Sequence, residues 1–380
     1  MLGAIIGDII GSRFEWNNYR HKDFKLFTNE SHITDDTVLT CAVAKAAITR
    51  LKNTVKETIY QDTLYQYANQ YPNAGYGSGF HRWMESSHPE PYGSFGNGSA
   101  MRVSAIGWLF NDRDSVLREA QLSAECTHNH PEGIKGAVCI ADCIYLLRHE
   151  KYGRYRLLQH VQQNYYSPKR YPDMAKSVKE IRANNKFNAS CQVTIPQAIR
   201  CFLEGDDFED IIRTAVSIGG DSDTIAAIAG SLAEAENKIP ENIIKQALEI
   251  LPNDLRKTID SFSEIYQYHN KKSNSLLNNI EREQYLKRRA QFCNLYEEKD
   301  YLNYHEQQNV LALFIELIGH LQFELFTAET KLQELKLESD YLQKSLAENK
   351  KPDYKKIKRH INKYFENSNS FFCIFPFISW

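Results

Sequence analysis

Two acidic stretches carry the side chains that chemistry needs. Ile218-Gly219-Gly220-Asp221-Ser222-Asp223-Thr224 places two carboxylates and a hydroxyl where a glycine turn gives way to the apolar run Ile225 to Ala235. Thr34-Asp35-Asp36-Thr37 repeats that grammar ahead of the Ala-rich run Val38 to Ile48. A helix start needs one side-chain oxygen to cap a first-turn N–H, so either cluster alone suits a capped helix. Together they exceed that need. Carboxylates gathered in a partly dehydrated site repel one another, and either some protonate or a cation neutralises them. The donors are all oxygen, with no Cys or His in either cluster, which favours Mg²⁺, Mn²⁺ or Ca²⁺ over Zn²⁺. Two cations sharing carboxylates, about 3.5–4 Å apart, are the expected arrangement.

Three further features could serve such a centre. Glu15 lies among aromatics in Phe14-Glu15-Trp16, where partial burial would raise its pKa toward that of a working general acid or base. The glycine-rich loops Ala74 to Phe80 and Pro91 to Arg102 let backbone N–H groups converge on an anion such as a diphosphate. The second loop enters the helix-like run Ala100 to Phe110, whose dipole would assist. His128 precedes a Pro-initiated helix, where a histidine commonly serves as a hydrogen-bonding structural residue.

The elements that must position these groups read as helices. Leu2, Ile5, Ile6, Ile9 and Ile10 recur at helical spacing, and Gly3, Gly7 and Gly11 form a small-residue stripe that admits another helix or a ligand close to the backbone. Further helices are expected to about Arg50 and over Val55–Gln70, His81–Glu85, Ser115–Cys126, Glu132–His149, Val178–Arg182, Ile195–Glu204, Phe208–Ser217 and Ile243–Leu251. Alternating β-branched runs are nearly absent. The first 265 residues or so therefore read as an all-α, compact multi-helix domain.

The 380 residues allow two or three domains, and a net charge of −2 supplies no global field for nucleic acid or an anionic membrane. Eight cysteines form neither a C-x-x-C pair nor a zinc spacing, and read as reduced, mostly buried thiols of a cytoplasmic protein. The N-terminal apolar run has no basic leader and contains Asp8, which argues against a signal peptide. No run approaches membrane-spanning length, so no membrane association is expected.

In combination, Gly3 to Glu15, Thr34 to Thr37, Gly93 to Arg102, Thr127-His128 and Gly219 to Thr224 resemble the ADP-ribosylglycohydrolase family, in the family's motif order, over roughly residues 1–265. The resemblance implies an all-α fold with a binuclear magnesium or manganese centre in a cleft that receives ADP-ribose. By position, Thr34, Asp35, Asp36, Asp221, Asp223 and Thr224 match the family's metal ligands. Glu15 matches an acid that some members use in catalysis, and it or a bridging carboxylate such as Asp36 is expected to manage the proton. The loops containing Gly75, Gly79, Ser94, Phe95, Gly96, Asn97 and Gly98 match segments that hold the diphosphate and ribose, and His128 matches a substrate-contacting histidine. The implied activity is metal-dependent cleavage at ribose C1 of an ADP-ribosylated substrate. The leaving group stays open among modified arginine, serine, a nucleic-acid base and a small ester.

Beyond a catalytic domain over residues 1–268, a polar linker is expected at 269–279 and a helical extension at 280–380. Leucines, isoleucines and phenylalanines at three- and four-residue spacing between Leu302 and Ala347 suit a long amphipathic helix or a helical hairpin. That extension is a candidate surface for a protein partner. Two non-hydrolase readings accompany it: an immunity factor that occludes an ADP-ribosyltransferase, and a non-catalytic ADP-ribose binder. Nucleic acid enters only as a modified substrate.

Overall fold

The computed structural model describes residues 1–52 and 58–267. The linker at 269–279, the helical extension at 280–380 and its candidate partner surface lie outside the described residues.

The described chain is all-α. Its helices are α1 (Leu2–Gly11), α2 (Asp35–Lys52), α3 (Ile59–Gln70), α4 (Ser78–Glu85), α5 (Gly98–Met101), α6 (Ser104–Leu109), α7 (Arg113–Glu125) and α8 (Pro131–Arg148). They continue with α9 (Arg154–Asn164), α10 (Val178–Asn184), α11 (Cys191–Glu204), α12 (Phe208–Ser217), α13 (Ser222–Glu236) and α14 (Glu241–Ile250). A last helix, α15, covers 253–267. Among the described residues the only β pairing is an isolated bridge between Gly96 and Ser190. No described helix is long and apolar enough to cross a membrane.

Two helices form the centre. Gly3 through Gly11 of α1 and Ser222 through Ala233 of α13 are all buried, as expected of helices enclosed on every side. They lie along each other, with α2, α8, α11 and α12 packed around the pair. The glycine stripe explains the approach. A Cβ on Gly3 would sit 2.2 Å from the Gly230 carbonyl oxygen, on Gly7 2.1 Å from that of Ala226, and on Gly11 2.5 Å from the Asp223 Cα. Glu234, near the far end of α13, accepts the backbone N–H groups of Leu2 and Gly3 and so caps α1.

Several boundaries differ from the sequence expectation. The run Ala100 to Phe110 is not one helix. Arg102 interrupts it, with its side chain fully buried and donating to the Ser123 carbonyl and Thr127 Oγ1, so the chain turns there and restarts as α6. The four-residue α5 thus supplies none of the dipole expected of a longer helix. Pro196 lies inside α11, in its second turn, where its missing N–H leaves the Gln192 carbonyl without its helical donor. Helices α9 and α15 were not anticipated: α9 buries only Leu157 and Val161, too sparse a stripe to read by periodicity.

Gly7→Ala should lower unfolding free energy by about 1–3 kcal/mol, the usual cost of overpacking a close contact. Denaturant titration checks it. An unchanged midpoint would mean that α1 and α13 do not meet at this carbonyl.

Candidate active site

The α1–α13 contact delivers the acids to one place. α1 carries Asp8 in its second turn and runs through a 3-10 turn (Ser12–Phe14) to Glu15, while α13 begins just past Asp221. Because Gly11 touches the backbone of Ser222 and Asp223, both helix ends converge on the same point. One carboxylate oxygen from each of Glu15, Asp221 and Asp223 lies within 4.8 Å of the others.

The turn ahead of α13 depends on its glycines. Gly219 and Gly220 have φ of +66° and +79°, which other residues rarely adopt. Asn18 Oδ1 accepts the Gly220 N–H at 3.1 Å, and Asn185 Nδ2 donates to the Gly219 carbonyl at 2.9 Å. Asp221 sits at the N-cap but makes no side-chain cap bond, which leaves its carboxylate available. Asn97 instead donates to it at 2.6 Å and to Thr194 Oγ1 at 3.0 Å, so this loop residue points inward.

The second acidic stretch is fixed by Asp8. Fully buried, Asp8 accepts the Thr34 N–H at 3.0 Å, the Thr34 hydroxyl at 2.7 Å, the Thr37 N–H at 3.0 Å and the Thr37 hydroxyl. Thr34 Oγ1 in turn accepts the Asp36 N–H at 3.2 Å. The capping work at the start of α2 therefore falls to Thr34, and Asp35 and Asp36 are spared for another use. The Asp35 N–H donates to the Ala74 carbonyl at 2.7 Å, next to Gly75. Asp36 is joined to the α13 side by Thr224, whose hydroxyl donates to Asp36 Oδ2 at 3.0 Å.

Two oxygens in this assembly have no hydrogen-bond partner although they are buried: Asp36 Oδ1 and Asp223 Oδ1. Buried acceptors without donors are costly in a folded protein. A hard cation is the group that an all-oxygen donor set would hold, and the residues present fit one. The proton affinities agree. Burial raises the Glu15 carboxyl to about 7, with the charges of Asp221 and Asp8 adding to it and a hydrogen bond from Trp16 opposing. Burial, then Asp8, Asp221 and Glu15, push Asp35 up to about 8. Asp36 and Asp223 rise well above the ordinary range, first through burial and then through their acidic neighbours. Asp221 is raised by burial, opposed by hydrogen bonds with Asp223, Asn97 and Thr224.

The second glycine loop forms an adjacent wall. The Asn97 N–H donates to the Ala189 carbonyl at 2.8 Å and the Cys191 N–H to the Phe95 carbonyl at 3.0 Å, which tie the loop to the start of α11. Ser94 Oγ accepts the Gly96 N–H at 3.1 Å. His128 is buried beneath this loop: a Cβ on Gly98 would lie 3.2 Å from its Nε2, and one on Gly96 3.5 Å. Arg102 donates to Thr127 Oγ1, and that hydroxyl lies 2.7 Å from His128 Nδ1. With the Thr127 hydroxyl donating to Nδ1, the ring proton is on Nε2, toward the loop. Burial and then the Arg102 charge drive the His128 pKa well below its ordinary value, so the ring is a neutral donor. Gly79, on α4, lies under the Tyr92 ring at the edge of this wall.

Asp8 is the principal residue that sequence reasoning missed. Its signal was present, a lone carboxylate within an apolar, glycine-striped helix, but its partners Thr34 and Thr37 lie 26 and 29 positions away. Asn18 and Asn185 left no comparable signal, since their role exists only against the Gly219–Gly220 turn.

The profile described as ADP-ribosylglycohydrolase matches residues 1–274. The mouse protein ADP-ribosylhydrolase ARH3 is 26% identical over 322 residues, covering 64% of this chain and 84% of that protein. The human ADP-ribosylhydrolase ARH3 is likewise 26% identical, over 318 residues, covering 64% and 86%. An uncharacterized protein of Archaeoglobus fulgidus is 33% identical over 154 residues, 38% of this chain and half of that one. A solved structure titled "ADP-ribosylglycohydrolase-related protein complex" is 19% identical with a TM-score of 0.49, covering 70% of this chain and 96% of that chain.

The raised carboxyls predict how stability varies with pH. Glu15 and Asp35, with ordinary values of 4.5 and 3.8 and folded values of about 7 and about 8, bind more protons folded than unfolded between those limits. Stability of the cation-free protein should therefore fall as pH rises from about 4 to 8. Thermal melts in chelator should show a lower midpoint at pH 8 than at pH 5, and millimolar Mg²⁺ or Mn²⁺ should restore most of the loss. An unaltered pH 8 melt on adding either ion would contradict the cation site.

Proposed function

This chain belongs to the ADP-ribosylglycohydrolase family and is a hydrolase acting on ADP-ribosyl linkages, and we propose that it frees ADP-ribose from a modified acceptor by cleaving the bond at ribose C1 with two bound Mg²⁺ or Mn²⁺. The observation that carries the metal-dependent reading is the pair of orphaned, buried oxygens of Asp36 and Asp223, beside Glu15 and Asp221. Asp35, Asp36, Asp221 and Asp223, with the hydroxyls of Thr34 and Thr224, are the residues that would hold the cations. Bound there, the cations supply Lewis-acid polarisation and lower the pKa of water by several units.

The chain's own residues account for the remaining needs. Glycoside cleavage passes through an oxocarbenium-like transition state, so the ribose must be fixed, a water oriented and a proton moved. Glu15 is half-buried, bonded to no basic side chain among the described residues, and has its carboxyl raised to about 7 by burial and by Asp221 and Asp8 when no cation is bound, which suits it to take a proton from water or return one to the leaving group. Asp8 acts one step back: through four donors on Thr34 and Thr37 it holds the start of α2 in register, and with it Asp35 and Asp36. The Gly93–Gly98 loop offers backbone N–H groups for a diphosphate, and the neutral His128 beneath it adds a donor without titrating in the working range.

Asp223→Asn and Asp36→Asn should abolish release of ADP-ribose, and Glu15→Gln should lower kcat by about 10²- to 10⁴-fold with little change in KM. The assay is mass spectrometry of ADP-ribose freed from arginine-, serine- and base-linked substrates with and without Mg²⁺. Undiminished turnover in Asp223→Asn would sink the metal-centre reading. Asp8→Asn should retain the fold yet lose both activity and the cation-induced rise in melting temperature, because an amide NH2 would replace one of the two oxygens that accept from Thr34 and Thr37 and would face donors there.

A further inference from the structure

Five large apolar side chains are exposed among the described residues, and four of them stand on the segments that carry the site. Tyr92 and Phe95 belong to the second glycine loop. Trp16, 77% exposed, directly follows Glu15; Phe187, 45% exposed, lies two positions before Ala189, whose carbonyl holds Asn97. Trp16 and Phe187 come from chain segments some 170 positions apart, yet their rings stack, centroids 4.9 Å apart and planes 18° from parallel. Stacking uses one face of each ring and leaves the outer faces to solvent, beside the carboxyl of Glu15.

The surroundings of this pair differ in charge from the chain as a whole. Residues 13–25 and 176–187, which bear Trp16 and Phe187, contain eight Lys and Arg against three acids, in a chain whose net charge is −2. Arg13, Arg20, Lys22 and Arg182 are engaged within the fold. Lys25, Lys179 and Lys186 are exposed and make no ion pair among the described residues. Next to Phe187 a cleft of about 250 Å³ is lined by Lys186, Asn184 and Asn188, and by Lys176 with Asp173, its ion-pair partner at 2.7 Å, and Glu180. Aromatic faces flanked by lysines, with amides at hand, are what a single-stranded nucleic acid uses: bases stack and phosphates meet the cations.

We infer that the Trp16–Phe187 pair receives the leaving group of the reaction, and that this leaving group is a base of single-stranded nucleic acid carrying ADP-ribose. The inference rests on the hydrolase reading above and specifies its acceptor. Water adds its oxygen to ribose C1, the bond from C1 to the base nitrogen breaks, and the second proton of the water goes to that nitrogen, so free ADP-ribose and the unmodified base result with no further reactant. Trp16 and Phe187 are specificity-determining residues in this scheme, holding the base while the acids act on the ribose.

The test compares kcat/KM on three substrates with the full chain and Mg²⁺: a single-stranded oligonucleotide ADP-ribosylated on a base, an ADP-ribosyl-arginine peptide, and a small acetyl ester of ADP-ribose. The oligonucleotide should be preferred over the peptide at low salt, with a KM that rises with ionic strength. Trp16→Ala and Phe187→Ala should each lower the oligonucleotide-to-ester ratio of kcat/KM about tenfold or more, the size of one lost base stack, and Trp16→Phe and Phe187→Tyr should restore it. Using the ratio cancels any loss common to both substrates. Turnover of the ester or peptide with the oligonucleotide left intact, or an unchanged ratio in both alanine variants, would overturn the inference while leaving the hydrolase in place. No turnover of any of the three, nor of the serine-linked substrate, would overturn the function proposed above and this inference with it.

Discussion

The close contact of α1 with α13 is the constraint on which the rest depends. Two helices packed through ordinary side chains stand 8–10 Å apart. Here glycine faces backbone: a Cβ on Gly7 would fall 2.1 Å from the Ala226 carbonyl oxygen. The consequence is positional. Glu15 at the exit of α1 and Asp221 and Asp223 at the entrance of α13 come within ligand-sharing distance, which no pair of helices with intervening leucines would permit. The stripe gains this proximity at a cost in helix propensity, since each interior glycine disfavours a helix by about 1 kcal/mol relative to alanine. Enclosure by apolar neighbours on every side offsets that cost.

Around this contact, the buried polar groups divide into two kinds. Asp8 is saturated, with four donors from Thr34 and Thr37 that oppose the upward pull of burial on its pKa, and so behaves as a structural pin. Asp36 and Asp223 are each left with an empty oxygen. The same residue type, equally buried, thus serves opposite purposes according to how many N–H and O–H groups face it. Thr34 connects the two kinds, since one hydroxyl donates to Asp8 and accepts from the Asp36 backbone. A cation at the orphaned oxygens would complete in charge what donors complete at Asp8.

The neutral side of the site is built on the same economy of partners. Arg102 is buried without a carboxylate, donating to the Ser123 carbonyl and to Thr127 Oγ1. It anchors the Thr127 hydroxyl that meets His128 Nδ1, and its charge adds to burial in keeping that ring from protonating. The interruption of the helix between Met101 and Ser104 is what lets Arg102 turn inward. A broken helix here orders the donor under the glycine loop.

Much of this was legible in the sequence because it is local. Helix starts, apolar periodicity and the acidic clusters Thr34–Thr37 and Asp221–Thr224 depend on neighbours within a turn or two, and the spacing of Gly3, Gly7 and Gly11 already announced a close approach. The all-α class and the gathering of oxygen donors followed from those alone. What the sequence could not contain was partnership between distant positions. That the stripe faces α13, that Asp8 accepts from residues 26 and 29 positions on, that Asn18 and Asn185 clamp one glycine turn, and that Trp16 meets Phe187 are decided by packing. The physical reason is the same in each case: a hydrogen bond or a ring stack has a reach of a few ångströms, and only the folded chain brings such residues within it.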